Sequence, residues 1–218
     1  MTRIKICGLT RPEDVSLASE LGASAVGFVF AASSPRRVSL EQAREMSAAA
    51  GPGVTRVGVF VDEEKTFIAE AVEAARLDLV QLHRPLRAAD LEDAPATVIA
   101  VVSVSGSVAP LPPAEWLRRC RWLLFDAGGS AGGGGTGTRF DWGVLDKKKF
   151  DAPIYLAGGL DAANVTEAID RVHPNGVDVA SGVERAPRVK DPEKLRRFFE
   201  AVRAADASAP SPPGRGPG

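Results

Sequence analysis

Short apolar runs recur along the chain, and each is followed by a stretch whose apolar residues return every three or four positions. The β-rich runs are Ile4 to Cys7, Ala25 to Phe30, Arg56 to Val61, Asp78 to Leu82, Thr97 to Val102, Trp122 to Phe125, Ile154 to Ala157 and Val177 to Ala180. Several are nearly continuous in apolar residues, the pattern of parallel strands covered by helices. Helical periodicity predicts helices from Pro12 through Ala18, Leu40 to Ala50, Glu63 to Ala75, Ala162 to Asp170 and Pro192 to Ala205. Pro12-Glu13-Asp14 opens the first with proline and acids, which suit a helix start. Arg87 to Asp93 and Pro113 to Arg119 are weaker and predict a turn or two. The alternation has the period of one βα unit. Eight units predict a single-domain α/β fold, a (β/α)8 TIM barrel over residues 1–205. An open doubly wound sheet would want Gly-x-Gly-x-x-Gly after its first strand. Here that turn reads Cys7-Gly8-Leu9-Thr10.

Composition changes this picture little. The 218 residues include 27 basic and 28 acidic side chains, a net charge of -1, with 44% apolar and 25% charged residues. That is ordinary for a globular protein and leaves no electrostatic footprint for nucleic acid. No apolar stretch approaches the roughly 20 residues of a membrane span. Met1-Thr2-Arg3 runs into a strand pattern rather than an apolar leader. Two cysteines, Cys7 and Cys120, make no disulfide framework, so a reducing cytoplasm is the expected compartment. The expected partner is a small molecule, with no nucleic acid and no membrane, for a monomer or homodimer. Residues 206–218, rich in proline, glycine, serine and alanine, predict a disordered tail.

Barrel enzymes place reacting groups at the C-terminal ends of strands and often seat a phosphate on the loops after strands seven and eight. Cys7 ends strand one, His83 follows strand four, Asp126 ends strand six and Asp178 lies in strand eight. A thiol and a carboxylate at two strand tips form a candidate proton-transfer pair. Against that, cysteine is often a small buried apolar residue and aspartate a common turn former. Gly158-Gly159 and Ser181-Gly182 fall on the two loops where an anion is expected, and paired glycines let the backbone approach it closely. Gln81 reads as barrel interior and Cys120 as structural.

With those positions in view, the chain closely resembles the phosphoribosylanthranilate isomerases of tryptophan biosynthesis. The resemblance is carried by Lys5-Ile6-Cys7-Gly8-Leu9-Thr10, Gly27-Phe28-Val29-Phe30 with Ser34-Pro35-Arg36, and Val57-Gly58-Val59-Phe60-Val61. Val80-Gln81-Leu82-His83, Gly134-Gly135-Thr136-Gly137 with Phe140-Asp141-Trp142, Ala157-Gly158-Gly159-Leu160 and Ser181-Gly182-Val183-Glu184 extend it, in the family's order. It implies an Amadori rearrangement of N-(5-phosphoribosyl)anthranilate to 1-(2-carboxyphenylamino)-1-deoxyribulose 5-phosphate, with no metal and no organic cofactor. By resemblance Asp126 is the general acid and Cys7 the general base. Asp126 should then have a raised pKa or recover its proton at each turnover, and Lys5 should lower the pKa of Cys7. Arg36 resembles the group that holds the anthranilate carboxylate, the alternative being a solvated loop cation, as Arg37 is expected to be. Asp178 is implied at the ribose hydroxyls or in a structural hydrogen bond. His83 either orients substrate or finishes a strand. Gly135, Thr136 and Gly137 lie in a glycine-rich run that reads as a flexible linker or, from its place, a mobile lid. Trp142 reads as a packing anchor.

Three positions depart from the family pattern: Arg84 and Arg188 stand where glycine is usual, and Thr138 where lysine is usual. Two other functions compete with this one. A histidine-pathway isomerase would need a second phosphate loop and a second catalytic aspartate, whereas strand three ends in the acidic Asp62-Glu63-Glu64. A non-catalytic phosphate-binding barrel would have no need of the thiol, the carboxylate and Arg36 together.

Overall fold

A computed structural model describes residues 1–92, 94–105, 107–108, 113–127, 141–145 and 152–208. Among the described residues, eight parallel strands close into a barrel. They are β1 (Arg3–Ile6), β2 (Ala25–Val29), β3 (Thr55–Phe60), β4 (Leu79–Leu82), β5 (Thr97–Ser105), β6 (Cys120–Ala127), β7 (Ile154–Leu156) and β8 (Gly176–Val179). Each strand pairs with the next, and β1 pairs with β8 to complete the ring. The helices are α1 (Pro12–Glu20), α2 (Leu40–Ala49), α3 (Lys65–Ala74), α4 (Ala114–Leu117), α5 (Val165–Val172) and α6 (Pro192–Ser208). As the weak patterns predict, the units after β4 and β5 shrink, to the 3-10 turn Ala88–Asp90 and the four-residue α4.

The strands read as continuous apolar runs because both faces are buried. Ile4, Ile6, Val26, Phe28, Phe60, Val80 and Leu82 face the helices. The alternate positions Ala25, Val57, Val59, Leu79, Leu124 and Tyr155 form a separate apolar cluster, the interior of the barrel. Trp122 and Tyr155 stack there with ring centroids 4.3 Å apart. Around Lys5, Asp178 and Gln81 the interior carries polar side chains, all buried.

Element ends follow local chemistry. Ser39 and Gln42 form a reciprocal capping box that starts α2. α3 begins at Lys65 rather than Glu63, because the Glu63 carboxylate accepts the N–H of Val61 at 2.7 Å and that of Ala32 at 3.3 Å. α6 runs past Ala205 to Ser208. Its Asp206 accepts the backbone N–H and the hydroxyl of Thr2 at 2.8 and 2.7 Å, tying the last helix to the start of β1. The rest of the predicted tail, residues 209–218, lies outside the described residues. No described helix is long and apolar enough to cross a membrane.

Phe28 is fully buried between β2 and the helices. Phe28→Ala is expected to cost about 3–5 kcal/mol of unfolding free energy, read from urea denaturation. A loss below about 1 kcal/mol would contradict this packing.

Candidate active site

The C-terminal rim of the barrel opens into a pocket lined from several strands. Cys7 follows β1 directly, and its N–H donates to Val179 O at 2.9 Å, so the ladder carries it to the rim. Asp126 sits near the end of β6, in register with Ser103 of β5. Both are buried and both line this one pocket. His83 is held by its N–H to Phe60 O at 2.8 Å, and its Nε2 lies 3.0 Å from Asp126 Oδ2. Its ring therefore meets the carboxylate rather than merely finishing a strand.

Asp178 Oδ1 accepts from Lys5 Nζ at 3.0 Å, both side chains inside the barrel. Burial pushes the Asp178 carboxyl up, against the opposing pull of Lys5, and Asp126 nearby pushes it further up. Lys5 stays charged. Burial alone would lower its pKa, but Asp178 and then Cys7 reverse that and raise it. Lys5 does pull the Cys7 thiol pKa down, but the net shift is upward. Burial raises Cys7, and the opposing cations Lys5 and Lys190 do not overcome it.

Arg36 is not a solvated loop cation. It is 7% exposed, and its fork is bidentate on Glu184, with Nε to Oε1 at 2.8 Å and Nη2 to Oε2 at 2.7 Å. It still lines the pocket. Gly8 explains how it fits. Its φ is +68°, and a Cβ there would stand 2.4 Å from Arg36 Cδ, so only glycine lets the arginine stem cross the turn. Arg37 is exposed, as expected.

Gly158, Gly159 and Ser181 line the same pocket. Gly158 has φ +84°, and a Cβ would meet Ala127 N at 2.6 Å and Asp126 Oδ1 at 2.9 Å, so this loop packs directly on the candidate acid. Gly159 is also at positive φ, and Gly182 packs with its Cα against Leu160 O. Asn164 braces the first loop, its Nδ2 donating to Gly159 O at 2.9 Å and its Oδ1 accepting Asp161 N–H at 3.0 Å. Gln81 is interior, and among the described residues its Oε1 has no donor. Trp142 is buried in the core, as a packing anchor should be. Cys120 opens β6, away from the rim, with its thiol pushed up to about 11 by burial. Gly135, Thr136 and Gly137, with Thr138, lie outside the described residues.

Glu184 and Lys190 had no role in the sequence reading. They stand on an antiparallel hairpin, Glu184–Ala186 with Val189–Lys190. Apart from Glu184 closing the Ser181-Gly182-Val183-Glu184 motif, their signal was two opposite charges flanking a short Pro187-Arg188 turn. Lys190 Nζ, buried, donates to Cys7 O at 2.7 Å, Ala180 O at 2.9 Å and Glu184 Oε1 at 3.2 Å. Arg188 takes φ +76°, a glycine conformation that costs other residues about 1 kcal/mol, which accounts for glycine as the usual choice there. Arg84 is accommodated differently, through a bidentate ion pair with Asp90 at 2.6 and 2.7 Å.

Residues 4–201 match the family profile described as N-(5'phosphoribosyl)anthranilate (PRA) isomerase. An N-(5'-phosphoribosyl)anthranilate isomerase from Bradyrhizobium sp. (strain ORS 278) is 42% identical over 212 residues, covering 93% of this chain and 96% of the relative. The crystal structure of phosphoribosyl anthranilate isomerase from Thermus thermophilus superposes with a TM-score of 0.81 at 36% identity, over 93% of this chain and 99% of that one. A phosphoribosyl anthranilate isomerase in complex with reduced 1-(o-carboxyphenylamino)-1-deoxyribulose 5-phosphate gives 0.77 at 36% identity, over 94% of this chain and 100% of that one.

The net effect on Cys7 is directly measurable. Iodoacetamide alkylation of Cys7 in the ligand-free protein, followed against pH by mass spectrometry, is expected to rise at higher pH than in a cysteine peptide. An inflection below that of the peptide would show that the neighbouring cations, not burial, control the thiol.

Proposed function

Since the chain belongs to the N-(5'-phosphoribosyl)anthranilate isomerase family, we propose which of its side chains move the protons of the family's reaction. The reaction itself is that of a tryptophan-biosynthesis isomerase, the Amadori rearrangement of N-(5-phosphoribosyl)anthranilate to 1-(2-carboxyphenylamino)-1-deoxyribulose 5-phosphate. Asp126 gives a proton to the ribose ring oxygen as the C1–O bond breaks and a Schiff base forms. Cys7, as thiolate, takes the proton from C2, and the resulting enolamine tautomerises to the ketone. His83, 3.0 Å from Asp126, is the neighbour through which the acid regains its proton between turnovers. A thiol raised by burial ionises sparingly, so Lys5 and Lys190 matter by limiting that rise.

Arg36 meets the anthranilate carboxylate with the edge of its guanidinium that Glu184 leaves open. Asp178, fixed by Lys5, meets the ribose hydroxyls. The backbone at Gly158, Gly159, Ser181 and Gly182 holds the phosphate. The observation that carries this reading is that Cys7, Asp126, Arg36 and the loops after β7 and β8 all line one pocket. The relative bound to a reduced product analogue supports the same class of ligand here. Asp62, Glu63 and Glu64 on the loop after β3 disfavour a second phosphate, and so the histidine-pathway substrate. A thiol base also fits a reducing cytoplasm.

Substrate fluorescence loss provides the assay. Cys7→Ala and Asp126→Asn are each expected to lower kcat roughly 10²- to 10⁴-fold with an unchanged melting temperature. Near-normal turnover in either variant would remove that residue from the mechanism. Arg36→Ala is expected to raise KM more than it lowers kcat. An unchanged KM would leave Arg36 only as a structural partner of Glu184.

A further inference from the structure

The loop that carries Arg36 is gripped from a distant part of the sequence. Glu184 takes the Nε and Nη2 edge of the guanidinium, 148 positions along the chain. Arg188 Nη1 donates to Pro35 O and to Arg37 O, both at 3.0 Å, and so fixes the backbone on each side of Arg36. The Arg188 carbonyl in turn accepts from Thr10 Oγ1 on the loop after β1. Lys190 holds Glu184 from behind while bonding the carbonyls of Cys7 and Ala180. Arg36 would otherwise be a long side chain on a loop, with many rotamers to lose on meeting a ligand.

We propose that the hairpin at residues 184–190 is a positioning clamp that sets substrate specificity. Glu184 and Arg188 hold Arg36 in the geometry that selects a ring carboxylate, and Lys190 keeps that geometry in step with Cys7. The proposal rests on the reading that Arg36 meets the substrate carboxylate. Neither Glu184 nor Arg188 touches substrate; both act through Arg36. Arg188 keeps its place despite a positive φ that glycine would occupy without strain, and the two backbone contacts it makes to the Arg36 loop are what glycine would lack.

The test compares N-(5-phosphoribosyl)anthranilate with N-(5-phosphoribosyl)aniline, which lacks the carboxylate, in the full chain. Wild type is expected to favour the carboxylated substrate in kcat/KM. Arg188→Gly removes the clamp while relieving the backbone, so it should melt at or above the wild-type temperature. Its KM for the anthranilate substrate should still rise roughly three- to tenfold, with KM for the aniline substrate unchanged. Glu184→Gln, which keeps the shape of the side chain, should raise KM for the anthranilate substrate more strongly, again without changing KM for the aniline substrate. Equal effects on both substrates, or no effect on either, would overturn the clamp and leave the hairpin a structural brace. If wild type itself does not distinguish the substrates, the reading of Arg36 fails instead, and the clamp with it.

Discussion

The pairing of β1 with β8 is the constraint from which the site follows. In a parallel barrel the last strand must return beside the first, and here Ile4, Lys5 and Ile6 lie opposite Val177, Asp178 and Val179. That register puts Lys5 and Asp178 at the same height, where they form a buried pair inside the ring. One residue further, Cys7 donates to Val179 O and so stands beside the loop that carries Ser181. A slip of one residue would turn Lys5 into the helix layer and Ile6 into the interior. The thiol, the second carboxylate and the loop after β8 are thus set by one hydrogen-bond ladder, although some 170 residues separate them in sequence.

The mouth of the barrel is built from charges that have lost their water. Taking an ammonium or a carboxylate out of solvent is expensive unless each finds close partners, and removing one member of such a set strands the others. Lys5 with Asp178, and Arg36 with Glu184 and Lys190, meet that condition by direct contacts of 2.7 to 3.2 Å. The arrangement leaves few degrees of freedom for the groups facing the ligand. It also sets opposing influences on Cys7: burial and Asp178 hold the thiol neutral, while Lys5 and Lys190 favour the thiolate. Burial prevails in the ligand-free protein, so the net effect raises the Cys7 thiol.

Much of this could be read from the chain, because strand tips in a barrel report their own position. Cys7, His83, Asp126 and Asp178 each end or lie within an apolar run, and the glycine pairs after β7 and β8 need no partner to be noticed. The barrel followed from the number of runs and the absence of a dinucleotide turn. What escaped were side chains whose meaning comes from contact alone. Glu184 and Lys190 look like surface charges around a turn, and nothing local says that they are buried or that one of them holds Arg36. Lys5 was seen as a neighbour of Cys7, but its pairing to Asp178 needs the β1–β8 register. The sign of the thiol shift escaped for the same reason, since burial is a property of the closed barrel rather than of residues 5–7. Arg188 was visible only as a departure from glycine, and its backbone angle together with its grip on Pro35 and Arg37 gives that departure a use.

The proposed chemistry requires one bound molecule to be addressed from several strands at once. A crystal structure of this chain with reduced 1-(o-carboxyphenylamino)-1-deoxyribulose 5-phosphate tests that directly. It should show the phosphate on the backbone of the loops after β7 and β8 and the ring carboxylate on Arg36. Cys7 Sγ and the Asp126 carboxylate should flank the sugar carbons between them. A phosphate seated instead beside Asp62 and Glu63 at the mouth of β3, or a sugar out of reach of either Cys7 or Asp126, would contradict it.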